Sequence, residues 1–183
     1  MIPRWDYLVK PLGDEHITTK KIAGVDFVIN TSIEDAKYVN RLGVVLSAPE
    51  GAKIPVGSIV VVHHNVFRTY LDMKGEKRKS NEYFRDGKYL VPEFKIYLYN
   101  NGKGWEAPDE YCFVSPMDYV HDSDVYRSDK KEEEHVGLVK YSSAPGLNQG
   151  DKVGFTKNSE YEFTIDDEKL YRIRVQDICI NFN

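Results

Sequence analysis

Hydrophobic and polar positions alternate over short runs along this 183-residue chain. Alternation is clearest in Tyr171-Arg172-Ile173-Arg174-Val175, which predicts a strand with one buried and one solvated face. Runs of β-branched and aromatic residues, bounded by Gly, Pro or Asp, predict further strands at 7–10, 43–46, 58–62, 89–99, 112–114, 137–139, 152–155, 161–165 and 170–180. Thr31 to Asn40 is the helix candidate, but it is brief and favours a loop. The pattern therefore predicts an all-β fold of short strands.

An internal repeat organises these strands. Four short blocks recur in the same order, at offsets of 105, 94, 93 and 82 residues. The paired blocks are 8–12 and 113–117, 43–45 and 137–139, 57–62 and 150–155, and Tyr89, Val91, Ile96 and Leu98 with Tyr171, Ile173, Ile178 and Ile180. Chance alignment of short β segments is the alternative, but four blocks in one order favour duplication. We predict two domains, residues 1–100 and 101–183, joined near the turn-rich segment 100–104.

Charge differs between the two predicted domains. Residues 1–100 hold 15 Lys and Arg against 12 Asp and Glu, whereas residues 101–183 hold 10 against 17, so the net charge of −4 is made of +3 and −7. A mildly acidic balance argues against nucleic-acid binding, because phosphate contacts rely on Lys and Arg. No apolar run approaches the roughly 20 residues of a membrane helix, and the amino terminus lacks a secretory apolar region. We expect a cytoplasmic protein with no membrane or nucleic-acid partner.

The sequence lacks the residue patterns that usually carry catalysis. No H-E-x-x-H, paired-cysteine, G-x-S-x-G or Walker pattern occurs. We expect His63 and His64 to point to opposite faces of a strand end, so that they do not share a metal ion. Cys112 and Cys179 fall on predicted strands and are expected to be small buried hydrophobic residues. The sequence therefore predicts a protein that is not an enzyme and holds no cofactor or metal.

The order of the blocks resembles that of the GroES-like co-chaperonins. The first copy has a Pro-terminated opening strand at Tyr7-Leu8-Val9-Lys10-Pro11-Leu12, then a polar loop, Gly43-Val44-Val45-Leu46 and Gly57-Ser58-Ile59-Val60-Val61. In the second copy, Gly150-Asp151-Lys152-Val153 and Val175-Gln176-Asp177-Ile178-Cys179-Ile180 are similar to the family's usual motifs. The resemblance covers most of the chain through short motifs, and it implies two tandem GroES-like small β-barrels.

This resemblance implies a non-enzymatic function. Members form rings by self-association and reversibly cap a GroEL-type chaperonin, which itself binds the nucleotide, around a folding client protein. Residues 13–30 correspond to the family's mobile loop, which is disordered when free. The implied chaperonin-binding residues are Ile22, Ala23, Gly24, Val25, Phe27, Val28 and Ile29. Weak contacts that order such a loop become strong through the avidity of a ring.

Several features depart from the family. Asp26 interrupts the usual aliphatic run, and a core strand at Val25–Ile29 is the alternative interpretation of that segment. The turn between Leu46 and Ile59 is short, as in bacteriophage-type members. Residues 121–134 take the place of a second mobile loop but have no glycine and no apolar tripeptide, so we expect only the first domain to bind a chaperonin.

Two further interpretations stay open. The acidic run Glu132–Glu134 is interpreted as a solvated loop. The basic segment Tyr70–Arg85 is interpreted as a soluble turn at a hairpin tip or as an electrostatic contact with an acidic neighbour. The alternative function is a GroES-fold structural or interaction protein, such as a bacteriophage particle component. A phage-encoded chain would act in the host cytoplasm.

Overall fold

The structure, a computed structural model, describes residues 2–16, 19–22, 25–28, 39–118 and 132–182. Strands dominate these residues and no α-helix occurs among them, so the all-β prediction is confirmed. The chain divides into two compact units, Met1–Trp105 and Glu106–Asn183. This boundary lies five residues after the end of the first predicted domain.

The first unit is built on one antiparallel sheet. Its strands are β1 (Tyr7–Pro11), β2 (Thr19–Ile22), β3 (Val25–Val28), β4 (Leu42–Ser47), β5 (Ile59–Val62), β6 (Thr69–Leu71), β7 (Lys77–Lys79), β8 (Tyr83–Arg85), β9 (Lys88–Val91) and β10 (Ile96–Asn100), with β11 (Trp105–Glu106) at its end. Among the described residues, seven of them form a sheet in the order β11-β10-β5-β4-β1-β9-β8. β2 pairs with β3, and β6 pairs with β7, as two separate hairpins. In this part of the chain the main sheet is open.

The second unit has a similar but smaller set of strands. These are β12 (Tyr111–Asp118), β13 (Glu132–Ser142), β14 (Lys152–Phe155), β15 (Tyr161–Ile165), β16 (Glu168–Arg174) and β17 (Ile178–Asn181). They pair in the order β15-β16-β12-β13-β14-β17, and the described strands of this sheet do not close into a ring either.

Both units use the same strand order and the same register. The order β8-β9-β1-β4-β5-β10 corresponds strand by strand to β15-β16-β12-β13-β14-β17. Four pairs of opposed residues in the first unit each have a counterpart in the second. Val9–Val45 matches Val114–Val139, and Val9–Tyr89 matches Val114–Tyr171. Gly43–Val60 matches Gly137–Val153, and Ile96–Val62 matches Ile178–Phe155. The offsets between partners are those of the four sequence blocks. Even the β-bulge recurs, between Leu8 and Val9 and between Phe113 and Val114.

Each unit has a core of β-branched and aromatic side chains, and its central strands also bury residues of the opposite face, such as Leu8, Val61 and Phe113. The first core contains Tyr7, Val9, Val39, Val45, Ile54, Val60, Val62, Val66, Phe67, Tyr89, Val91 and Ile96. The second contains Cys112, Val114, Val139, Val153, Phe155 and Ile173. Tyr7 and Val9 of β1 thus occupy positions in the first core that Cys112 and Val114 of β12 occupy in the second.

Some predicted elements differ from the observed ones. The single strand expected at 89–99 is two strands, because Pro92 has no N–H for the ladder and a 3-10 turn follows at Glu93–Lys95. The strand expected at 170–180 is broken in the same way at Val175–Asp177. The acidic run 132–134 was expected in a loop but begins β13, where Lys169 and Lys152 pair with Glu132 and Glu133.

The remaining helix candidate falls mostly outside the described residues. Of Thr31 to Asn40, residues 31–38 are not described, and Val39 forms an isolated antiparallel bridge with His16. Among the described residues, no helix has the length and hydrophobicity needed to cross a membrane.

Candidate partner-binding hairpin

The predicted binding segment lies in a long excursion between β1 and β4. β2 and β3 form an antiparallel hairpin in which Thr19 is opposite Val28 and Ile22 is opposite Val25. Among the described strands, β3 pairs with β2 and takes no part in the seven-stranded sheet. The hairpin is therefore a separate two-stranded element rather than a strand of the main sheet.

Of the predicted chaperonin-binding residues, four lie on this hairpin. Ile22 ends β2, and Val25, Phe27 and Val28 lie on β3. The Val28 side chain is 69% exposed, so it is available to a partner. Ala23, Gly24 and Ile29 lie outside the described residues. Asp26 is opposite Lys21 in the hairpin register. The expected disorder of the free loop stays a prediction.

The excursion leaves and re-enters the sheet through a hydrogen-bonded stem. The backbone N–H of Leu12 donates to the carbonyl of Leu42 at 2.9 Å, and that of Asn40 donates to the carbonyl of Glu15 at 2.9 Å. The buried Asn40 amide also donates to the carbonyls of Leu12 at 2.6 Å and Asp14 at 2.9 Å, and its Oδ1 accepts from the N–H of Leu42. The side chain of Asn40 thus satisfies backbone polar groups on both strands of the stem. The stem thus fixes where the excursion starts.

A carboxylate clamps this stem to the rest of the first unit. Glu15 accepts hydrogen bonds from the Tyr89 hydroxyl at 2.6 Å, the Thr69 hydroxyl at 3.3 Å and the Lys79 ammonium. Partial burial opposes ionisation of Glu15, but the hydrogen bonds from Lys79 and Tyr89 outweigh it and lower the carboxyl pKa below its ordinary value. Burial and the bond to Glu15 together raise the pKa of the Tyr89 hydroxyl. At neutral pH the clamp therefore contains a carboxylate and a neutral phenol.

The second unit has a similar clamp on the equivalent tyrosine, but its carboxylate comes from the start of β13, the counterpart of β4, whereas Glu15 follows β1. Tyr171, the register equivalent of Tyr89, donates its hydroxyl to Glu132 at 2.5 Å, and Lys169 donates to the same carboxylate at 2.7 Å. Hydrogen bonds from Lys169 and Tyr171 lower the pKa of Glu132. Sequence inspection missed both clamps because Glu15 and Tyr89 are 74 residues apart. The preserved tyrosine of the fourth repeat block was the available signal.

The structure places Cys112 as expected but places His63, His64 and Cys179 differently. His63 and His64 follow β5, and their rings stack at 4.1 Å instead of pointing to opposite faces, because neither belongs to the strand. Within the described residues, no group of three or more His, Cys, Asp or Glu side chains could hold a metal ion. Burial raises the pKa of the Cys112 thiol to about 12, as expected for a core residue. Cys179 was expected to be buried but is exposed near the carboxyl-terminal edge strand.

The basic segment at 70–85 lies on β6, β7 and β8 and the turns between them. Within the described part of the chain, two of its five basic residues form ion pairs: Arg78 binds Asp72 at 2.9 Å and Glu76 at 2.7 Å, and Lys79 binds Glu15. The soluble turn and the contact with an acidic neighbour both stay predictions for this segment.

Comparison of the sequence with protein-family models found no match, and comparison with curated proteins found none either.

Proposed function

We propose that the protein is a GroES-like co-chaperonin with two tandem β-barrel domains. It self-associates into a ring and reversibly caps a GroEL-type chaperonin, with nucleotide bound by the chaperonin, to assist the folding of a client protein. The chaperonin contact is made by the β2–β3 hairpin of the first unit. The second unit has no such contact and serves as architecture.

The observation that supports this proposal is a hairpin of the first unit that pairs outside the main sheet. The described strands of both sheets share order and register, and the excursion of the first unit carries this separate hairpin, which presents an exposed apolar residue, Val28. A hairpin that pairs outside the main sheet contributes little to that sheet, so its apolar residues are better explained by a partner than by folding. A single hairpin offers a small apolar area and hence a weak contact. Several hairpins on one ring bind strongly and release quickly, which a cycling lid requires.

A refolding assay tests the proposal directly. A denatured client is diluted into GroEL-type chaperonin and ATP, with wild-type protein, Val28→Asp, Phe27→Asp or Val56→Asp. Val56 is the matched control. Its exposed fraction of 60% is similar to the 69% of Val28, but it lies in the turn before β5. We expect wild type and Val56→Asp to raise the yield of folded client and both hairpin variants to lose that effect.

Two results would contradict the proposal. One is equal activity of all four proteins; the other is no activity in any of them, which would favour the structural or phage-particle alternative. Hydrogen exchange gives a second readout, since residues 19–28 should gain protection only when chaperonin and nucleotide are added. Full protection of these amides in the protein alone would remove the main support for capping.

A further inference from the structure

The first unit carries a second appendage that the second unit lacks. β6 and β7 form a two-stranded hairpin between β5 and β8. In the second unit only residues 156–160 separate β14 from β15, the equivalent strands. The two appendages of the first unit, the β2–β3 excursion and the β6–β7 hairpin, therefore occur together in one unit.

Glu15 contacts both appendages at once. Its backbone carbonyl receives the N–H of Asn40 across the stem of the excursion. Its carboxylate receives Thr69 from β6 and Lys79 from β7. The third donor, Tyr89 on β9, is fully buried and anchors the carboxylate to the main sheet.

The Glu15 carboxylate is half-buried and has three donors, whereas its partner Lys79 is exposed. The Glu15 side chain is 22% exposed and that of Lys79 is 38% exposed. A carboxylate with three donors in such a place has few other ways to satisfy its oxygens, so its donors constrain one another. A shift of β7 must move Lys79, and the carboxylate can follow only by changing the stem.

We propose that Glu15 is a positioning residue that couples the β6–β7 hairpin to the stem of the β2–β3 excursion, so that a change at either appendage alters the other. The β6–β7 hairpin thereby acts as a brace for the excursion. This coupling goes beyond the proposed function, and it holds whatever partner the hairpin binds.

In the second unit, the described donors of the clamp come from a single strand of the main sheet. There Glu132 binds Lys169 and Tyr171, which both lie on β16 of the main sheet. Among the described residues, both donors of that clamp come from the main sheet and not from a hairpin outside it. The tyrosine–carboxylate bond is common to both units, whereas the link to a second appendage belongs to the first.

The test changes one appendage and measures the other in the partner-free protein. Lys79→Met removes the β7 donor without touching the stem, and Lys77→Met is its control on the same face of the same strand. NMR hydrogen exchange reports the Asn40 amide, which bonds the Glu15 carbonyl. We expect Lys79→Met to lower its protection roughly threefold to tenfold, the scale of one ordinary hydrogen bond or exposed ion pair, whereas Lys77→Met leaves it unchanged and Lys79→Arg restores it.

The reverse experiment uses Glu15→Gln, with Glu132→Gln as control. Protection should fall at the β6–β7 amides of Asp72 and Ser80, which bond the carbonyls of Glu76 and Arg68. Glu132→Gln should leave both unchanged. Because the Glu15 pKa is lowered in the fold, the coupling is present above its ordinary carboxyl pKa and is lost as the pH falls through the folded value, so wild type and Lys79→Met should converge in acid.

Two outcomes would overturn the inference. If Lys79→Met leaves the Asn40 amide as protected as Lys77→Met does, Glu15 does not couple the appendages. If protection falls equally at amides of the main sheet, such as Val45, the clamp stabilises the whole unit and positions nothing. Neither outcome depends on a chaperonin, so this inference and the proposed function can fail separately.

Discussion

The equivalent glycines Gly43 and Gly137 give the sharpest test of the shared architecture. Each lies where its strand passes close to the opening strand of its unit. A Cβ added at position 43 would lie 2.6 Å from Val9 Cγ1, 2.9 Å from Phe67 Cζ and 3.0 Å from the Lys10 carbonyl oxygen. Ordinary carbon contacts are about 3.5–4.0 Å, so the methyl group overlaps a buried β-branched side chain by nearly 1 Å. Val9 cannot rotate away cheaply, because its χ1 is restricted.

The expected cost follows from this overlap. Overpacking a core costs about 1–3 kcal/mol, and the reduced chain entropy of alanine in the unfolded state returns about 0.4–1 kcal/mol. Gly43→Ala should therefore lower the free energy of unfolding by about 1–2 kcal/mol. Gly137→Ala should do the same, since its Cβ would lie 2.7 Å from Val114 Cγ2 and 3.0 Å from the Ser115 carbonyl oxygen.

Gly154→Ala is the matched control. Gly154 is also a strand glycine, but a Cβ there would lie 3.4 Å from its nearest neighbours, Ile180 Cβ and Phe182 Cε2. The register equivalent in the first unit is Val61, so a side chain is compatible with this position. Guanidinium unfolding followed by hydrogen-exchange mass spectrometry resolves peptides of each unit. We expect a loss confined to the mutated unit for Gly43 and Gly137, and no loss for Gly154; equal effects of all three would refute the steric argument.

Two further predictions test buried and paired groups. Cys179 should react quickly with a thiol reagent at pH 8 while Cys112 reacts only on unfolding, because burial raises the Cys112 pKa to about 12; two fast thiols per chain would contradict the described core. Glu132→Gln should lower the denaturation midpoint at pH 7 but not at pH 3, because a carboxyl with a lowered pKa stabilises the fold above its ordinary pKa and loses that effect as the pH falls through the folded value; an equal loss at both pH values would contradict the clamp.

Strand positions were predictable wherever packing and local pattern agree. β14 and β15 begin and end at the predicted residues, because both are runs of β-branched or aromatic residues bounded by turns. The charged strand β7 was not predicted, since Lys77-Arg78-Lys79 has low strand propensity. It forms through pairing with β6 and through the Lys79–Glu15 contact, which are not local properties of the sequence.

The candidate site was predictable as a segment but not as a geometry. Its apolar residues follow from composition, and Val28 lies exposed on a paired strand. The stem could not be derived, because Asn40 acts through carbonyls of Leu12 and Asp14, whose register with it depends on the folded sheet. Hydrogen bonds between residues distant in sequence need the tertiary fold before they can be identified.

Comparison of the two units distinguishes the features that the shared sheet requires from those that it can form without. The shared register, the close glycines and the tyrosine–carboxylate bond occur in both units, so folding explains them. The β6–β7 hairpin occurs in the first unit, and the described strands of the second unit form the same sheet order without a counterpart of it. Yet the β6–β7 segment is not detached, because Phe67 at its root is fully buried in the first core and its ring contacts Tyr89. The β6–β7 hairpin thus reaches Glu15 from a base that is anchored in the core, as the proposed coupling to the excursion requires.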